Sequence, residues 1–197
     1  MEPDATTCLG SAALPATVAI VIAAGLALWV ALAFNRLVRQ RNLLAEGWSG
    51  IDVQLKRRHN LIPALVETVT GYARHERTAL AEITALRTRR RDGQALKDTQ
   101  DTENALTDQL KGLFALAESY PDLKASRNFV NLSEQLGEIE DQIQMARRYY
   151  NGAVRNYNVR VESFPSNLVA GLFGFRRQEF FEIATATERA APKVEMP

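Results

Sequence analysis

The chain has 197 residues, with 24 Lys and Arg against 23 Asp and Glu, two His and a single Cys. A net charge of +1 argues against bulk nucleic-acid binding, which leaves a strongly basic domain or face, and a lone cysteine excludes an intramolecular disulfide scaffold. The residues beyond the N-terminal apolar stretch suffice for one domain with a modest core.

Residues 12–34 carry no charged side chain and form a run long enough to cross a hydrocarbon layer of roughly 30 Å as a helix. Arg36, Arg39 and Arg41 follow directly, while the preceding segment holds Glu2 and Asp4 and no Lys or Arg. The positive-inside rule then predicts a single-pass membrane protein, with residues 1–11 outside and the rest in the cytoplasm. The three arginines are expected among lipid headgroups, with Trp29 as an interfacial anchor. Ala31-Leu32-Ala33 has the form of a signal cleavage site, but an acidic leader and an overlong apolar run argue against cleavage.

Beyond the membrane exit, Leu44, Trp48, Ile51, Leu55, Ile62, Leu65, Val69, Tyr72, Ala79 and Ile83 recur in steps of three and four, which predicts one long helix ending near Arg89–Gly93. Two positions on this seam, Arg58 and Glu76, are charged. Arg58 either meets a buried partner that sets register or snorkels its head past the seam. Pro63 removes one backbone donor, yet the seam keeps its phase across it, so a continuous, kinked helix is expected. Gly71 does not end the pattern.

A second helix is expected from about Leu96 to Ser119, with a thinly hydrophobic first half, KDTQDTENA, that is exposed or loosely held. Tyr120-Pro121-Asp122 reads as a turn. The third helix, from about Ser126 to Ser163, has the cleanest repeat: Phe129, Leu132, Leu136, Ile139, Ile143, Ala146, Tyr150, Ala153 and Tyr157. An aromatic stripe at helical spacing reads as core rather than a cofactor box. After Phe164-Pro165, residues 168–172 form at most a short helix ending at Gly171 or Gly174. Phe173, Phe175, Phe180, Phe181 and Ile183, with Arg176 and Arg177 among them, either dock on an open end of the bundle or lie on the membrane surface. Residues 185–197 are expected to be disordered.

Three blocks carry a specific likeness: WSGIDVQLKRRHNLIPALVETVTGYARHE (Trp48 to Glu76), ARRYYNGAVRNYN (Ala146 to Asn158) and SFPSNLVAGLFGF (Ser163 to Phe175). They resemble the LemA family of bacterial membrane proteins. The resemblance covers most of residues 35–183 and implies a single-pass anchor bearing a cytoplasmic helical domain, here residues 35–184. It implies no defined reaction, and a related subgroup associated with magnetosome organelles points toward membrane organisation.

The inventory for catalysis is poor. His59 and His75 are sixteen residues apart, about 24 Å along a helix, and cannot share a metal ion. His75-Glu76 lacks the second histidine of a zincin motif at Ala79, and no phosphate-binding glycine loop is present. No catalytic residue, cofactor or metal is expected. The expected fold is all-α, an N-terminal transmembrane helix continuing into an antiparallel bundle of three long helices plus a short C-terminal one. Helices of about 70, 36 and 57 Å leave Leu44, Trp48, Ile51 and Leu55 without a partner in the chain. With Arg58, they are expected to form an interface, making a coiled-coil homo-oligomeric scaffold or a surface for another membrane protein.

Overall fold

In a computed structural model, which describes residues 6–73, 76–89 and 94–182, the protein is all-α. Its helices are α1 (Thr6–Tyr72), α2 (Arg77–Arg89), α3 (Leu96–Ala117), α4 (Pro121–Lys124), α5 (Arg127–Glu162) and α6 (Ser166–Leu172). The expected disordered tail lies outside the described residues. Two compact units are present: residues 44–154 with 179–182, and residues 6–43 with Arg155–Gln178.

The larger unit is a helical bundle. On α1, Ile62, Leu65 and Val69 share one core with Leu80, Ile83 and Leu86 of α2, Leu106, Leu110 and Leu113 of α3, and Phe129 and Leu136 of α5. Burying these side chains supplies most of the drive to fold, at about 2 kcal/mol for each large aliphatic group. Residues 44–72 of α1 run antiparallel to residues 127–154 of α5. Gly47 sits against Tyr149 and Tyr150, Trp48 against Tyr150, Arg57 against Gln142 and Arg58 against Glu140.

The helix passes through Pro63 without interruption. A proline in a helix interior leaves the carbonyl four residues earlier without its donor. Here that carbonyl belongs to His59, and Arg87 Nε of α2 donates to it at 3.1 Å.

The expected 70 Å first helix is corrected. It ends at Tyr72, one residue after Gly71, and α2 folds back along α1, bringing Arg87 to His59. The apolar period survives this reversal because Leu80, Ile83 and Leu86 face the same core as before the break. A periodicity argument therefore registers no turn. Pro121 at the first position of α4 makes a single helical turn where a plain turn was expected. Pro's fixed φ suits that position.

The uncovered seam is corrected too. Leu44, Ile51 and Leu55 are buried, and Trp48 stacks edge-on against Tyr150 at 5.9 Å and Phe181 at 5.4 Å. Because α1 stops at Tyr72, α5 begins level with its end and has the length to return along the whole seam.

In the smaller unit, Leu37, Tyr157, Val169, Ala170 and Phe175 are buried. Helix α6 ends in a Schellman motif, with Phe175 N–H bonded to Ala170 O at 2.9 Å and Gly174 N–H to Gly171 O at 3.4 Å. Gly174, at φ 71°, supplies the left-handed residue this ending needs.

Two glycines of α1 separate the effects of packing and propensity. A Cβ at Gly47 would lie 3.2 Å from both Tyr149 Cδ1 and Tyr150 Cα, whereas one at Gly50 would meet nothing within 4 Å. Gly50→Ala should stabilise the full chain in detergent micelles by up to about 1 kcal/mol, and Gly47→Val should destabilise it by roughly 1–3 kcal/mol through overpacking. Urea unfolding midpoints distinguish the two. Equal shifts would show that α5 does not press on Gly47.

Candidate functional site

The most distinctive polar feature of the larger unit is an ion cluster within the bundle. Arg58 and Glu103 are both 0% exposed. Arg58 Nη2 donates to Glu103 Oε2, and Nη1 donates to Glu140 Oε1 and to Thr107 Oγ1, the last at 3.0 Å. The other oxygen of Glu103 faces His59 Nε2 at 3.0 Å. A carboxylate only accepts, so that nitrogen carries a hydrogen.

Burial opposes ionisation of Glu103, but the hydrogen bond from His59 and the charge of Arg58 outweigh it and hold its pKa below the ordinary glutamate range. Arg58 Nε alone has no acceptor. The cluster ties α1 to α3 and α5, and Arg58 is internally paired rather than snorkelling to water.

Glu103 also corrects the expectation of an exposed first half for helix α3. Thr99 and Glu103 are buried there, and Thr107 one turn further on. A signal was available: Leu96, Thr99, Leu106, Leu110 and Leu113 step by three and four only if residue 103 fills the missing seam position. A carboxylate stands there opposite the arginine that interrupts the seam of α1. His75 lies outside the described residues, and among the described residues no group of three His, Cys, Asp or Glu is placed to hold a metal.

Two asparagines of the ARRYYNGAVRNYN block act as backbone clamps. In the larger unit, Asn151 Nδ2 donates to Phe181 O at 3.0 Å and its Oδ1 accepts from Phe181 N–H at 2.9 Å. In the smaller unit, Asn158 does the same to Gln178, both at 2.9 Å. Each side-chain amide imitates a strand neighbour for an extended segment. Single-sequence periodicity does not reveal this, since polar residues beside a seam read as solvated.

The smaller unit gathers aromatic and basic groups at the end of the apolar run. Phe34 stacks against Phe173 at 4.8 Å and Phe175 at 5.7 Å, and the Arg41 guanidinium lies 5.6 Å from the centre of the Phe175 ring. Arg36, Arg39 and Arg41 are exposed. A groove of about 320 Å³ runs between Trp29, Leu32 and Leu37 of α1 and Pro165, with Arg36 and Arg160 on its walls.

Removing one partner of a buried ion cluster leaves the others desolvated and uncompensated, so Glu103→Ala should cost about 3–5 kcal/mol, and Arg58→Met combined with Glu103→Met much less than the sum of the single changes. A double-mutant cycle by urea unfolding of the full chain in micelles measures this coupling. An additive result would show the pair to be independent. A carboxyl group whose pKa is depressed by folding adds stability above its unfolded pKa and loses it as pH falls toward the folded value. The wild-type chain should therefore weaken as pH drops below the ordinary glutamate range, and Glu103→Gln should flatten that part of the profile.

The chain matches the LemA family over residues 47–196. It is 28% identical over 137 aligned residues to Protein LemA of Metamycoplasma hominis, covering 69% of this chain and 63% of that one. It is 25% identical over 160 aligned residues to magnetosome protein MamQ 2 of Paramagnetospirillum magneticum, covering 68% of this chain and 59% of the relative. The chain thus spans about six tenths of the length of these curated relatives. Matched over more than half its length, and carrying the three blocks around its ion cluster, asparagine clamps and aromatic end, the chain belongs to the LemA family.

Proposed function

We propose that this protein is a non-catalytic, single-pass scaffold or adaptor of the inner membrane, its N-terminus outside and its helical bundle at the cytoplasmic face. The observation that carries this reading is the continuity of α1. One uninterrupted helix contains the apolar run, long enough to cross a membrane, and then the buried Ile51, Leu55 and Arg58. Arg36, Arg39 and Arg41 at the exit support the orientation. Relatives named as magnetosome proteins support a part in organising membranes.

The ion cluster favours a structural role for the bundle's buried charges. Arg58, Glu103 and His59 are engaged with one another, and only Thr107 and Glu140 of the cluster line a groove, of about 370 Å³, whose other walls are largely apolar or uncharged.

A second reading, an accessory subunit serving another membrane protein, is favoured by the covered seam. With Leu44, Ile51 and Leu55 buried inside the chain, self-assembly through that surface would require the bundle to open. The mass of the intact protein in native-lipid nanodiscs separates the readings: a discrete homo-oligomer supports the scaffold, and a monomer supports the accessory subunit.

Orientation is tested by the single cysteine, Cys8. A membrane-impermeant maleimide should label it in cells whose outer permeability barrier has been opened, with the protein remaining in the carbonate-washed membrane pellet. Labelling only after lysis would reverse the orientation, and release into the wash would overturn the anchor.

A further inference from the structure

The anchor accounts for the exposed apolar side chains of α1 from Val18 to Leu32 but leaves a second exposed apolar surface unexplained. Phe164, Leu168, Leu172 and Phe173 are 79, 62, 77 and 50% exposed, although Val169 and Ala170 of the same short helix are buried. Leu168 and Leu172 are four residues apart and share a face. With Phe164 and Phe173 at either end of the segment, four large apolar groups stand exposed within ten residues, more apolar surface than a soluble protein usually leaves uncovered.

Two features identify what covers it. The patch is continuous with the end of the apolar run, because Phe173 packs on Phe34, the last residue of that run, and Pro165 faces Trp29 and Leu32 across the groove. Its surroundings are also strongly basic. Although the whole chain has a net charge of +1, residues 35–43 and 155–178 contain seven arginines and a single glutamate. That glutamate, Glu162, pairs with Arg177 at 3.1 Å.

We propose that residues 164–173 form an interfacial membrane foot beside the transmembrane helix. Phe164, Leu168, Leu172 and Phe173 enter the acyl boundary of an anionic bilayer, with Arg36, Arg160 and Arg176 at its phosphates. This rests on the anchor reading above. Aromatic and aliphatic side chains enter the boundary layer while long basic side chains extend to the headgroups, and anionic lipid adds a favourable charge term. A nucleic acid would use the arginines but has no place for an unstacked Leu168 and Leu172.

The test uses the full chain with Cys8→Ser, reconstituted at one copy per nanodisc of phosphatidylcholine and phosphatidylglycerol. A nitroxide is attached in turn at Leu172→Cys, at Leu26→Cys within the apolar run, and at Lys111→Cys as an aqueous reference. Collision rates with oxygen and with a water-soluble nickel complex report depth. The expected result is an oxygen-to-nickel ratio at Leu172 between those of Leu26 and Lys111. That ratio should fall when phosphatidylglycerol is omitted or when Arg36 and Arg160 are changed to Gln.

A ratio at Leu172 equal to that at Lys111, with Leu26 deep in the bilayer, would overturn the foot and leave the anchor standing. Protection of Leu172 from both reagents would place protein over the patch and overturn the proposal in favour of a protein contact. An aqueous ratio at Leu26 would remove the anchor, and the foot with it.

Discussion

A guanidinium group taken fully out of water must be surrounded by acceptors, and the helical bundle is arranged around meeting that demand for Arg58. Its partners come from separate helices: Glu103 and Thr107 from α3, and Glu140 from α5. On the same turn of α1, His59 holds the second oxygen of Glu103, and its own carbonyl, orphaned by Pro63, accepts from Arg87 of α2. Six residues of α1, from Arg58 to Pro63, therefore engage α2, α3 and α5. A cluster of this sort contributes little net stability compared with apolar packing of the same volume, but sliding any one helix by a turn would strand a buried charge. Its value is in register.

The smaller unit is governed by different chemistry. Its described part combines the apolar run with stacked Phe34, Phe173 and Phe175, and its arginines are exposed rather than internally paired, apart from the Arg177 contact with Glu162. A near-neutral whole-chain charge conceals this segregation. Acidic side chains fall elsewhere in the sequence, so an argument from net charge sees a balanced protein where a local count sees a basic one. The distinction matters because fields at a surface are screened within about 10 Å, and local composition sets what a surface attracts.

The helices and most of their buried faces were legible in the sequence. The α5 stripe from Phe129 to Tyr157 is largely buried, as its unbroken alternation of three and four requires, and the helix passes through Pro63 as the preserved phase suggested. The polar start of α3 was misread because Thr99 and Glu103 lower its average hydrophobicity, even though they occupy core positions. A buried Glu is indistinguishable from a solvated one until the arginine opposite it is known. The asparagine clamps were hidden for the same reason: Asn151 and Asn158 matter through the backbone they hold, and that backbone lies 20 to 30 residues away in the chain.

Taken alone, the sequence determined the helical class, an N-terminal segment long enough to cross a membrane, the core stripe of α5, family likeness and the presence of a charge, Arg58, on an apolar seam. All of these are local or periodic properties, read within a few turns of one chain segment. Only the tertiary structure decided that α1 ends at Tyr72, that α2 turns back, and that α5 returns far enough to bury Leu44, Ile51 and Leu55. It also decided which carboxylates Arg58 meets. A helical seam keeps the same phase whether its helix continues outward or doubles back, so periodicity predicts that a face is buried without specifying what buries it.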